Sequence, residues 1–345
     1  MRRSLVVWGG VGLALLLLSV LGSLAVGSAH LTPAEVAGIV GRRLPWIGSY
    51  IHGDWPVNAE SIIWRVRMPR VVLGVLVGAS LAVAGAAFQG VLRNPLADPS
   101  TLGVASGASV GAAFLIYFGL QYAWFGQWSI PVVAFATGFG SLLLVLKLAR
   151  VDGKLKMETL ILSGVVMQAF LGAIVSFMVA LSDQVINEII FWLMGSLAMR
   201  GWPYTQVIAP YWAVGFVLLL GCARSLNLLA LGEREASHMG VNVERTKLFV
   251  LVVSTLVTAA AVSVAGVIGF VGLIVPHLVR LLAGPDYRLI LPLSAIGGGI
   301  YVLWADTLAR TVLGQTEIPL GVVTAFLGAP FFAYLLNKQK KTLRG

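Results

Sequence analysis

Ten stretches of mostly apolar residues, each near the length that crosses a bilayer, dominate this 345-residue sequence. About 20 apolar residues in a helix span the hydrocarbon core of a membrane. The runs cover roughly 5–28, 67–90, 101–120, 130–149, 158–181, 204–224, 247–265, 268–283, 289–310 and 319–336, the eighth being the shortest. A further stretch, 187–199, is apolar but too short to cross. It is read as a helix near the outer surface or dipping part-way in. Backbone N–H and C=O groups find no water in lipid, so the runs must be helices, and a β-barrel would show short alternating segments instead. Composition agrees: 58% of residues are hydrophobic and 11% charged, against about 25% charged in a soluble domain. The first run follows Met1-Arg2-Arg3 and exceeds the roughly 7–15 apolar residues of a signal peptide, so it is read as a retained span. The expected fold class is an all-α membrane protein of about ten spans, one transmembrane domain over 1–345, with no soluble domain and no internal repeat.

Lysine and arginine orient it. With the N-terminus inside and the spans alternating, 17 of 24 basic residues fall on the cytoplasmic side. That bias puts both termini in the cytoplasm and the chain in the cell's inner membrane. The net charge of +10 therefore reflects orientation and not nucleic-acid binding, because the basic residues sit between apolar runs. Seven arginines are left outside: Arg42, Arg43, Arg65, Arg67, Arg70, Arg200 and Arg310. Two connections are long, an outer segment over 30–62 with Pro33, Pro45 and Pro56, and a cytoplasmic loop over 225–247.

Gly103, Gly107 and Gly111 recur every fourth residue, as do Gly74 and Gly78. Such faces let helix backbones approach closely, either inside the subunit or along a pore or dimer face. Gly266, Gly269, Gly272 and Pro276, followed by His277, fall within twelve residues and predict a broken helix, tolerated at membrane depth only inside protein or beside a cavity. No phosphate-binding G-x-x-x-x-G-K-[ST] occurs, and neither H-E-x-x-H nor G-x-S-x-G is present. The histidines His30, His52, His238 and His277 are scattered, and Cys222 is the only cysteine. No catalytic residue, bound cofactor or metal site is expected. Asp306 and Arg310, four apart, share a helix face and can neutralise each other. A proton-coupled carrier would want a chain of buried carboxylates, whereas Asp183 and Glu317 fall near outer span ends.

Four motifs then act together. They are Arg67-Met-Pro-Arg70 leading into Gly78-Ala-Ser-Leu-Ala-Val-Ala-Gly85 and Gln89; Arg93-Asn94-Pro-Leu96-Ala-Asp-Pro99; Leu229-Ala-Leu231-Gly232-Glu233 with Ala236 and Met239-Gly240; and Gly266 through Arg280. Asp306-Thr-Leu-Ala-Arg310 and Pro319-Leu-Gly321 follow. From about residue 62 to 336 this pattern resembles the FecCD-like permeases of ABC importers, which serve ferric siderophores, haem and cobalamin.

The resemblance implies a type II importer: a homodimer of ten-helix subunits in the lipid bilayer, two ATPase subunits below that use ATP and Mg²⁺, and one substrate-binding protein above. It implies a bulky iron complex as cargo, with cobalamin as the alternative, moved by alternating access. Residue by residue, it points to Arg67, Arg70 and Arg310 for docking of the binding protein. Leu229, Leu231, Gly232, Glu233, Ala236, Met239 and Gly240 are implied in coupling to the ATPase. Asn94, Leu96, Met157 and Glu158 correspond to a cytoplasmic gate, although the last two depart from the small hydroxylic pair of cobalamin permeases. By spacing alone, Leu228, Leu229 and Leu231 make an apolar patch, and Glu233 to Met239 a short helix stopped by Gly240.

Overall fold

The computed structural model describes residues 2–342 apart from 28–30, 44, 46–47, 51–52, 54, 57, 152–153, 183 and 315. His30, His52 and Asp183 thus lie outside the described residues. Fourteen helices follow in order: α1 (Arg2–Ala25), α2 (Pro33–Arg42), α3 (Ala59–Leu92), α4 (Val104–Tyr117), α5 (Ser129–Leu148), α6 (Met157–Leu181), α7 (Ile186–Leu193), α8 (Trp202–Gly221), α9 (Ala223–Leu231), α10 (Glu233–His238), α11 (Val243–Ala265), α12 (Val271–Ala283), α13 (Tyr287–Ala309) and α14 (Leu320–Thr342). One antiparallel pair of two-residue strands, β1 (Arg150–Val151) and β2 (Lys154–Leu155), joins α5 to α6. Seven helices are long and apolar enough to cross a membrane, and the apolar helices Val104–Tyr117, Val271–Ala283 and Leu320–Tyr334 stand where the other three spans were expected.

Helix α3 is the hub, with α8, α11, α12 and α13 packed around it. Its small residues make this possible. A Cβ on Gly78 would lie 2.1 Å from the Gly298 carbonyl oxygen of α13, and one on Gly298 2.3 Å from that of Gly78. Gly85 meets Gly272 of α12 in the same way, and Gly74 receives Leu197. Gly107 and Gly111 of α4 face Thr137 of α5. These glycine faces are therefore spent inside the subunit, where close approach lets many weak dispersion contacts accumulate. By contrast Leu162, Val166, Phe170 and Phe177 of α6 and much of α1 are exposed, as surfaces for lipid or a partner are.

The outer segment 30–62 was expected to be a loop, and the structure corrects this. Thr32-Pro33-Ala34-Glu35 forms a capping box that starts α2: the Thr32 Oγ1 accepts from the Glu35 N–H at 3.3 Å, and the Glu35 carboxylate accepts from the Thr32 N–H at 2.7 Å. The Thr32 N–H and hydroxyl, both donating to that carboxylate, hold the Glu35 carboxyl below its ordinary pKa. Val36 and Ile39 bury against Leu24, Ile63, Met68 and Leu303. Helix α3 begins at Ala59, not near 67, and passes a π turn at Ile62–Arg67 before Pro69. The 225–247 loop holds the short helix expected over Glu233 to Met239 as α10, and α9 and the first turn of α11 fill most of the rest.

Candidate functional site

At the outer end, α1, α3 and α13 surround a cavity of about 1050 Å³ lined by Arg67, Arg70, Arg310, Asp306 and Glu317 among others. Arg70 is its centre. Its Nε and Nη2 donate to Asp306 at 2.9–3.1 Å, and Nη1 and Nη2 to the two Glu317 oxygens at 2.9 Å. The Arg70 side chain is only 15% exposed. Such bidentate pairing is what the planar guanidinium does best. The Arg70 guanidinium also holds the Glu317 carboxyl below its ordinary pKa. Asp306 and Arg310 do meet, at 3.8 Å, but Arg70 is the nearer partner of Asp306, which spacing along one helix could not reveal. Arg310 turns back to the Ser23 and Val26 carbonyls at the end of α1, and Arg67 donates to the Leu24 carbonyl at 2.6 Å. Both guanidinium groups press on Gly27, where a Cβ would lie 2.6 Å from Arg67 Nη2. Of the three arginines implied in docking, each is thus anchored within the subunit while lining the outer cavity.

The predicted break lies at the middle of the chain's path, but over Gly266–Phe270. Gly272, Pro276 and His277 belong to α12. Gly266 ends α11 at φ 73°, and Phe270 opens α12 at φ 69°, a left-handed conformation unusual for a bulky residue. Phe270 fits there because α14 offers Gly328, where a Cβ would lie 2.5 Å from its ring. Backbone hydrogen bonds tie the neighbouring stretches together. The Ser196 N–H donates to the Ala265 carbonyl, and the Leu320 and Gly321 N–H groups to the Gly195 and Met194 carbonyls, at 2.8–3.0 Å. The stretch after α7 therefore dips inward and ties the break to α14, with Leu197 packed on Gly74 about one turn inside Arg70 on α3.

Pro276 has no N–H, so the Gly272 carbonyl loses its helical partner. Gln89 of α3 supplies one, donating to Gly272 O at 3.1 Å while its own Oε1 accepts from Arg280 at 3.1 Å. Sequence reasoning missed this triad, although a glutamine inside an apolar run was a signal. His277 is half-buried with its Nδ1 unpartnered. An apolar cavity of about 600 Å³ lies beside the break, lined by Leu193, Met194, Val267, Gly269, Phe326 and Pro330.

At the inner end, α9 and α10 meet at Gly232, where a Cβ would strike the Glu235 carboxylate. Gly240, at φ 84°, closes α10 as expected: its N–H donates to the Ser237 carbonyl, and that of Val241 to Ala236. Leu229 and Ala236 are buried in the subunit's own core, so of the predicted apolar patch Leu231, 62% exposed, faces outward, joined by Met239 at 58%. Asn94 accepts from the Leu96 N–H in a tight turn. That turn leads into a 3₁₀ turn at Pro99–Leu102, capped by Asp98 and packed on α6 through Leu102 and Gly164. Met157 and Glu158 form the first turn of α6, the methionine half-buried and the glutamate exposed. Leu96 is 44% exposed.

Comparison with known proteins decides the class. The sequence profile of the FecCD transport family matches residues 15–338. The chain belongs to the FecCD transport family. It is 43% identical over 327 residues to a cobalamin import system permease protein of Halobacterium salinarum, covering 91% of this chain and 85% of that one. It is 40% identical over 298 residues to a hemin transport system permease protein of Yersinia pestis, covering 84% and 89%. A solved structure described as an inward-facing conformation of a metal-chelate type ABC transporter superposes with a TM-score of 0.83 at 32% identity, over 96% of this chain and 98% of that one. The FecCD chain described here is accordingly a multi-pass permease of the cytoplasmic membrane, the translocation subunit of an ABC transporter.

Proposed function

We propose that this permease imports a bulky metal complex, a ferric siderophore or haem, by alternating access in a homodimer. Two ATPase subunits dock on α9 and α10, and one substrate-binding protein docks on the outer face around Arg67, Arg70 and Arg310. Cobalamin is the second reading, because relatives named for cobalamin and for hemin are almost equally similar. The observation that carries the proposal is the short-helix unit at the inner end. Its Gly232 and Gly240 hinges hold Leu231 and Met239 outward while Leu229 and Ala236 root it in the core. An apolar, exposed pair on a rooted knob suits a groove in a partner and has little use in water. Cargo passes between two subunits and is released by movement of this knob, with Asn94, Leu96, Met157 and Glu158 at the inner closure.

A proton-coupled carrier is the competing class. It needs titratable groups relayed across the membrane, whereas Asp306 is already engaged with two arginines at the outer end. Affinity purification of the permease with the candidate ATPase tests the assembly. The proposal expects a stable complex whose ATP hydrolysis rises when loaded binding protein is added. L231E should weaken the complex by tenfold or more. A permease that never retains the ATPase would overturn the proposal.

A further inference from the structure

Lys247 is an anomaly that the proposed machinery does not use. It lies in the second turn of α11, 2% exposed, at the helix end where the backbone dipole repels a cation. A buried lysine there must be paired. Its Nζ lies 2.6 Å from the Glu233 carboxylate, the first residue of α10, and 3.8 Å from that of Glu244. Both glutamates are about half exposed. Glu244 in turn accepts from the Leu155 N–H at 3.3 Å. Leu155 belongs to β2 and is buried in the main core, and Met157, two residues on, packs against the same core at the start of α6.

A continuous chain of contacts therefore runs from α10 through Lys247 and Glu244 to the β1–β2 hairpin and the first turn of α6. Its members come from three separate parts of the sequence. Besides the packing of α9 and α10 into the core, this is the polar path by which α10 reaches α6 among the described residues.

We propose that Lys247 is a positioning residue that transmits displacement of α10 to the hairpin ahead of Met157 and Glu158, so that ATPase movement reaches the inner closure. This rests on the assignment of α10 to ATPase docking. A long, flexible ammonium stem suits the role, because it keeps its charge partners while α10 shifts. Removing the charge separates the two ends, whereas loss of a purely structural pair lowers the amount of folded complex and leaves its coupling intact.

The test uses the full transporter in proteoliposomes, with this permease, its ATPase and its binding protein, and reads cargo taken up per ATP hydrolysed. K247M is expected to lower that ratio at least tenfold in the complex that assembles. K247R is expected to retain it, and the swap E233K/K247E to recover it at least threefold over K247E alone. A K247M complex with the wild-type ratio overturns the proposal, as does a swap no better than K247E. If instead the wild-type permease neither retains the ATPase nor couples ATP to uptake, it is the docking assignment that has failed.

Discussion

Arg70 is held by four carboxylate oxygens, two from Asp306 on α13 and two from Glu317 just before α14. Deleting one member of a buried charge pair leaves the other uncompensated, at about 3–5 kcal/mol. R70M should therefore lose most of the thermal stability of the detergent-solubilised permease, and R70M/D306L should regain much of it. Equal melting of R70M and wild type would contradict the pairing. Acid tests the other arm. Because Arg70 depresses the Glu317 pKa below about 4.5, the contribution of Glu317 is complete above that value and fades as pH falls through its folded-state pKa. The difference in melting temperature between wild type and E317Q should be constant near neutrality and shrink in acid below about pH 4.5. A difference that grows in acid would reverse the assignment. Gln89 makes a third case. Q89L strands the Gly272 carbonyl that Pro276 cannot serve, and should cost about 1–3 kcal/mol, read by the same melting measurement.

The glycine contacts belong to the helices as elements. G78A forces α3 away from α13, since the added methyl lies 2.1 Å from a backbone oxygen. Gly10 of α1 has open space around its Cβ position, so G10A should leave folding unchanged while G78A abolishes the monodisperse species in size-exclusion chromatography. Equal behaviour of the two would deny close α3–α13 packing. The elements also mark how far the sequence could be read. An apolar helix stands at each of the ten runs, seven of them long enough to cross a membrane, because apolar length in lipid has one backbone solution, the helix. Gly240 was legible as a stop because α10 needed a left-handed residue after it. Helix α2 was missed although Thr32 and Glu35 wrote its capping box plainly, because the prolines of 30–62 suggested a loop. The break was placed too broadly, since Pro276 continues inside α12 with Gln89 answering for its missing hydrogen bond. Arg70–Asp306, Lys247–Glu233 and Gln89–Gly272 join residues far apart in the chain, and no local periodicity encodes such pairs.

Taken whole, the permease is a bundle around α3 with three working levels. Anchored arginines line an outer cavity, a broken helix is tied to α14 half-way down, and a rooted pair of short helices projects below. Arg70 and Arg310 pair with Asp306 and Glu317 and, with Arg67, still line the outer cavity, so charge at this face serves both the fold and the proposed docking. The break is tied through Ala265 to the stretch after α7, and that stretch in turn to α14, with an apolar cavity alongside. On the proposed function, a wall of this kind would bind cargo weakly and release it, so its residues say little about cargo identity.

Transport by the reconstituted system is the most direct measurement. The permease, its ATPase and its binding protein would be placed in proteoliposomes with ATP and offered haem, several ferric siderophores and cobalamin in parallel. The account predicts ATP-dependent accumulation of one iron complex, lost when the ATPase is omitted. Accumulation of cobalamin alone would move the cargo to the second reading. Uptake that proceeds without the ATPase and follows a proton gradient would contradict the account.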